Sequence, residues 1–277
     1  MTDAATQGTA MLEVEGVRKT FGGIQAVRDA SFSVKRGSIT SLIGPNGAGK
    51  TTLFNIVTGF YKPDAGQITL DGESIYGKAP YAIARLGMVR TFQITKALAA
   101  MPVIDNMMLA GADQPGEHLL TLLTRPVASR RREGEVREQA MELLATFNLD
   151  KKADDYAGTL SGGQRKLLEL ARALMPKPRM VLLDEPMAGI NPTLGRRLLA
   201  HMEELRGDGV TFLFVEHDMD VVMNHSDEVV VMGQGETILV GTPDEVRSDQ
   251  RVIDAYLGGA AGATESEEDK ERADAGG

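Results

Sequence analysis

An α/β fold with a parallel core sheet is predicted by three observations. Met180–Leu183, Val210–Val215 and Glu228–Met232 read as short strands, the first wholly apolar, as a strand buried on both faces should be. Helical runs alternate with these strands, the pattern of strand–helix–strand units. One earlier strand runs directly into a glycine-rich turn that opens a helix.

Taken in order, the first ten residues are small and polar and are expected to be disordered. Met11–Val17 alternates as a strand does, and Ala30–Val34 and Ser38–Ile43 give two more. Gly44–Lys50 is the glycine-rich turn, with a helix expected over Thr51–Thr58. Gly66–Leu70 is a further strand closed by the Asp71-Gly72 turn. A mostly helical insertion is expected over residues 94–175. There Arg132–Phe147 carries Val136, Ala140, Leu143, Leu144 and Phe147 at helical spacing, and Leu160–Leu174 has a glycine pair followed by a helical run. The folded domain is expected over residues 11–258. Beyond it, residues 259–277 form a Gly/Ala-rich and acidic tail that cannot bury enough surface to fold, with six acids against two bases between Glu265 and Asp274.

Composition narrows the function classes. The 277 residues are 25 % charged and 42 % hydrophobic, an ordinary globular balance. The absence of cysteine removes disulfides and thiolate metal sites and fits a reducing compartment. A net charge of −9 argues against nucleic acid as a partner, which would leave a basic footprint. No run reaches the roughly 18 apolar residues that would span a bilayer, and Met1–Ala10 lacks the basic start and apolar stretch of a signal peptide. A cytoplasmic protein that reaches a membrane only by docking is the expectation.

The chemistry is concentrated in three motifs. Gly44-Pro45-Asn46-Gly47-Ala48-Gly49-Lys50-Thr51, followed by Thr52, fits the P-loop pattern. Its glycines let successive backbone N–H groups turn toward one anion, and the helix beyond adds its positive end. Lys50 would supply a charge to the β- and γ-phosphates, and the Thr51 hydroxyl a ligand to Mg²⁺. Met180–Pro186 places Asp184 and Glu185 at the end of a buried strand, where acids are costly unless they meet a cation. Asp184 would hold Mg²⁺ through water, and Glu185 would orient the attacking water as general base. Leu160-Ser161-Gly162-Gly163-Gln164 precedes a helix. It reads either as a serine N-cap with a flexible loop, or as a second anion cradle formed by Ser161 and the Gly162 and Gly163 backbone. A chain with two phosphate cradles and one nucleotide makes most sense if the second serves a partner's nucleotide.

P-loop, LSGGQ and a hydrophobic strand ending in Asp-Glu-Pro, in that order, resemble the nucleotide-binding domain of ABC ATPases over roughly residues 12–258. The resemblance implies ATP and Mg²⁺ as cofactors, and a P-loop sheet with an antiparallel portion and a helical subdomain carrying the signature motif. It implies a head-to-tail pair with ATP between one P-loop and the other chain's Ser161–Gln164 segment. It also gives Phe21 a place on the adenine, Gln93 on Mg²⁺ and the water, and His217 on the γ-phosphate, while Gly189, Ile190 and Asn191 fall in the loop between subunits. Many relatives carry Asp where this chain has Asn191.

The stretches Val89–Gln93, Ala188–Pro192 and Val252–Gly258 look like the LivG type, ATP-binding subunits of bacterial importers of branched-chain amino acids. That likeness implies two permease subunits, a second ATPase that is a copy or a paralogue, an external solute-binding protein and a peripheral position on the inner face of the membrane. Residues 97–110 lie where the family meets its permease. Their methionines read equally as an adaptable docking surface or as core of the helical subdomain. Urea or amide import and lipopolysaccharide export use similar subunits and stay open, as does a non-transport ATPase, which a single P-loop and the lack of heptads disfavour.

Overall fold

The computed structural model describes residues 9–91, 96–111 and 126–256. Its strands in chain order are β1 (Ala10–Phe21), β2 (Ile24–Lys35), β3 (Ile39–Ile43), β4 (Ala65–Leu70), β5 (Glu73–Ser74), β6 (Met88–Arg90), β7 (Met180–Asp184), β8 (Thr211–Val215), β9 (Glu228–Gly233) and β10 (Glu236–Gly241). The helices are α1 (Lys50–Val57), α2 (Pro80–Arg85), α3 (Lys96–Ala99), α4 (Val103–Met108), α5 (Pro126–Thr146), α6 (Gly162–Leu174), α7 (Pro192–Gly207), α8 (Met219–His225) and α9 (Pro243–Ser248). Residues 250–256 are also helical. The chain divides into two compact units: one runs to Leu86 and resumes at Thr211, the other is Gly87–Val210.

In the first unit the strand order is β5-β4-β1-β2-β10-β9-β3-β8. The pairs β3/β8 and β3/β9 are parallel, whereas β1/β2, β1/β4 and β9/β10 are antiparallel. The parallel pairs are buried throughout β3 and β8, Thr40, Ser41 and Thr211 included, and form the floor of the core with Leu53, Phe54 and Ile56 of α1. β1 begins at Ala10, one residue inside the segment expected to be disordered, and runs four residues past Val17 to Phe21. That extension pairs with the start of β2 through Gly22-Gly23, with Phe21 opposite Ile24. Its exposed, polar pattern hid it from a reading based on alternating burial.

In the second unit β6 and β7 are parallel, in register from Met88/Met180 to Arg90/Leu182. The apolar faces of the helices meet there: Val136, Ala140 and Leu144 of α5, with Leu167, Leu168, Leu170 and Leu174 of α6, are buried. Residues 101–104 bind the backbone of 153–157, with Val103 N–H donating to Asp155 C=O and Ala157 N–H to Met101 C=O, both at 2.9 Å. The Asn106 amide clamps the preceding turn by donating to the carbonyls of Leu98, Met101 and Pro102. The methionine question divides residue by residue: Met107 is core, Met101 and Met108 are half-buried, and Leu109 is 58 % exposed. No helix among the described residues is long and apolar enough to cross a membrane.

Candidate nucleotide site

The P-loop leaves β3 at the carboxyl edge of the parallel strands, and β8, paired beside β3 with Leu42 opposite Val215, delivers Glu216 and His217 to the same edge. Each turn of the loop is fixed by contacts far away in sequence. A side chain on Gly44 (φ +150°) would put its Cβ 2.2 Å from the Met232 carbonyl oxygen, and one on Gly49 (φ +96°) would lie 2.4 Å from that of Ala26. Gly235 N–H donates to Ala48 C=O at 3.1 Å. Glycine is thus required by space as well as by backbone angle.

Lys50 is buried, and its ammonium donates to Gly44 C=O at 2.7 Å and Pro45 C=O at 3.0 Å. A cation so placed is held at the loop by two of the loop's own carbonyls. Gly49 caps α1 with no side-chain acceptor, so the helix N-terminus presents backbone N–H groups, with Asn46, Gly47 and the Thr51 side chain exposed and Thr52 half-buried. Phe21, 41 % exposed, packs edge-to-face on Tyr61 at 5.2 Å, with the Lys19 ammonium 5.3 Å from its ring. Lys19 and the Thr20 N–H share the Asp64 carboxylate, and the Lys19 hydrogen bond holds the Asp64 pKa below its ordinary value. Tyr61 and Asp64 carried no motif and escaped the sequence reading. His217 is exposed, and its backbone N–H donates to the buried Glu216 carboxylate at 3.1 Å.

In the second unit, β7 carries Asp184 to its end, where Asp184 Oδ2 accepts from Arg90 Nη2 at 2.6 Å. Arg90 stands on the paired strand β6, two residues short of the segment 92–95. Gln93 lies in that segment, outside the described residues. Glu185 is exposed and sits in the left-handed region at φ +47°, a conformation that costs about 1–3 kcal/mol in a residue other than glycine. Backbone strain of this kind has no sequence signature.

Ser161 is the N-cap of α6. Its hydroxyl accepts from Gln164 N–H at 3.3 Å, and the Gln164 side chain accepts from Ser161 N–H at 3.0 Å, completing a capping box. The N-cap reading is therefore met, and it leaves the exposed Ser161 and Gly162 at a helix N-terminus. Gly163 is different. A Cβ there would fall 1.8 Å from Leu194 Cδ2 and 3.6 Å from Ile190 Cγ2, so α6 packs directly against the segment leading into α7. Asn191 N-caps α7, accepting from Leu194 N–H at 3.0 Å. A cleft of about 410 Å³ opens beside these groups, lined among others by Ser161, Gln164, Asn191 and Arg197.

A phosphate-type cradle on a parallel sheet, accompanied by a capped glycine-rich helix start and an Asp-Glu strand end, defines an ATP-binding cassette. The chain belongs to the ABC transporter family: that family's model matches residues 27–188, and a model described as "Branched-chain amino acid ATP-binding cassette transporter" matches residues 236–262. It is 45 % identical to the high-affinity branched-chain amino acid transport ATP-binding protein BraF of Pseudomonas aeruginosa, over 90 % of this chain and 98 % of that protein. It is 40 % identical to the probable branched-chain amino acid transport ATP-binding protein LivG of Archaeoglobus fulgidus, over 90 % and 95 %. A crystal structure of the ADP conformation of an ATP-binding cassette of an ABC transporter superposes with a TM-score of 0.80 at 39 % identity, covering 90 % of this chain and 99 % of that one. The chain is an ABC-type ATPase.

Proposed function

We propose that this chain is the ATP-hydrolysing subunit of an importer of branched-chain amino acids. The observation that carries the reading is the buried Lys50 ammonium inside a loop in which Gly44 and Gly49 leave no room for a side chain. Support for the transported class comes from the relatives' names and from the family match at residues 236–262. Nothing in the chain itself favours urea import or lipopolysaccharide export over this.

In the proposed mechanism the loop from Gly44 to Thr52 binds the ATP phosphates by its N–H groups, Lys50 takes the β- and γ-phosphate charge, and Phe21 stacks on the base. Thr51, Asp184 and Gln93 would hold Mg²⁺. The first two offer the hard oxygen donors that Mg²⁺ takes alongside phosphate oxygens, so the residues fit the ion, which would neutralise charge on the transferred phosphoryl group. Arg90 keeps the Asp184 carboxylate compensated and oriented from its own side. Glu185 acts as general base on water and His217 contacts the γ-phosphate. Ser161, Gly162, Gly163 and Gln164 meet the nucleotide of a second ATPase subunit, and hydrolysis awaits that closure. The chain would sit peripherally on the inner face of the membrane against its permease, with the solute-binding protein linked only through the permease.

Proteoliposomes holding this chain with its permease and binding protein should accumulate labelled leucine only when ATP is supplied on the side of this subunit. Lys50→Ala should abolish that uptake. Uptake indifferent to Lys50→Ala, or ATP turnover that no branched-chain amino acid stimulates, would overturn the reading.

A further inference from the structure

The tip of the β1–β2 hairpin carries Phe21 but has no core of its own, since every residue from Thr20 to Gln25 is exposed. A ring on so bare a turn has to be aimed from elsewhere in the chain. Contacts that do so come from residues 61–64. Tyr61 sets its ring edge-to-face against Phe21, with the centroids 5.2 Å apart. Asp64 grips the two residues before Phe21 with one carboxylate, Oδ2 accepting from Thr20 N–H at 2.7 Å and Oδ1 from the Lys19 ammonium at 2.8 Å. Its own N–H donates to Arg18 C=O at 2.9 Å, so three successive residues of β1 are held. The Lys19 ammonium, anchored in this way, stands 5.3 Å from the centre of the Phe21 ring.

The gripping segment is tied in turn to the helix that leaves the phosphate loop. Phe60 and Tyr61 N–H both donate to Asn55 C=O, at 2.8 and 3.1 Å, and Thr58 Oγ1 donates to Phe54 C=O at 2.6 Å. The turn after α1 is closed to a side chain, because a Cβ on Gly59 (φ +79°) would lie 2.5 Å from Lys78 C=O. α1 thus has Lys50 as its first residue and, just past its last turn, the residues that aim Phe21. The Asp64 side chain is 47 % exposed, and an ion pair so open to water adds little to stability. Its convergence on Lys19 and Thr20 is better suited to directing the hairpin tip than to holding the fold together.

We infer that Asp64 and Tyr61 are positioning residues for Phe21, fixing the ring that receives the adenine relative to the loop that receives the phosphates. They act through Phe21, from the far end of α1. The inference rests on the reading of Phe21 as the surface on which the base stacks.

Inorganic pyrophosphate, which offers the loop its phosphates without a base, separates aiming from folding. The affinities of the full chain for ADP and for pyrophosphate are read by displacement of labelled ADP. Asp64→Ala and Tyr61→Ala should each weaken ADP binding by about two- to ten-fold, a share of what a base–aromatic stack contributes, and should change pyrophosphate affinity by less than about two-fold. Asp64→Asn, which keeps an acceptor for the Thr20 N–H, should recover most of the loss. In a Phe21→Ala background neither alanine substitution should weaken ADP binding further. Equal losses for ADP and pyrophosphate, or a full effect of Asp64→Ala that persists without Phe21, would overturn the positioning role. Phe21→Ala alone tells the two readings apart. If it weakens ADP binding while Asp64→Ala and Tyr61→Ala do not, the positioning role alone fails. If it leaves ADP affinity unchanged, stacking of the base on Phe21 fails, and the inference with it.

Discussion

The two glycine-rich segments that open α1 and α6 are built by opposite means. The loop at 44–51 is shaped by main chain against main chain, with Gly44 against Met232 C=O, Gly49 against Ala26 C=O, Gly235 N–H on Ala48 C=O and the Lys50 ammonium on two loop carbonyls. The segment at 161–164 is shaped by side chains. A serine and a glutamine cap each other's backbone, and one glycine makes room for Leu194. Backbone cannot yield when crowded; a leucine can turn. The first region is thus a rigid loop. The second is a fitted surface that holds Ser161 and Asn191 in one block, as the proposed contact with a second ATPase subunit would need.

This contrast can be broken by crowding. Gly44→Ala has no soft neighbour to displace, and should lower stability by about 3 kcal/mol in chemical denaturation and abolish ADP binding. An alanine variant that folds normally and binds would remove the rigid-loop half of the comparison. Gly163→Ala meets only a side chain, so it should cost about 1–3 kcal/mol, and Leu194→Ala added to it should recover at least half of that loss. If the double variant is simply the sum of the two singles, Leu194 is not what Gly163 accommodates. The smallest effect belongs to the cap. Asn191→Ala should cost about 1 kcal/mol, whereas Asn191→Asp, which keeps the acceptor and adds a charge favoured at a helix N-terminus, should melt no lower than wild type.

The same contrast explains what could be read in the sequence. The P-loop, the Asp-Glu strand end and the serine cap were legible because each is a local pattern with a local cause. The buried strands β7, β8 and β9 were legible for the same reason, since apolar runs of that length bounded by turns read as buried strands. What could not be read depends on partners distant in the chain. Arg90 reaches Asp184 only because β6 and β7 lie in register, and Tyr61 reaches Phe21 from the bend that follows α1. Asn191, marked by the sequence as a departure from an expected Asp, keeps the capping acceptor an Asp would supply, so the helix start is preserved by either residue. The left-handed Glu185 is invisible in sequence because glutamate has no preference for that conformation.

The central claim is that the chain carries two phosphate cradles, one for its own nucleotide and one for a partner's. Its most direct test is retention of uncleaved ATP after gel filtration. Glu185→Gln, which removes the base but leaves both cradles, should emerge with intact ATP bound, and Glu185→Gln with Ser161→Ala should emerge largely free of it. Equal retention by both variants would contradict the second cradle, and cleavage of the ATP by Glu185→Gln at the wild-type rate would contradict the role given to Glu185.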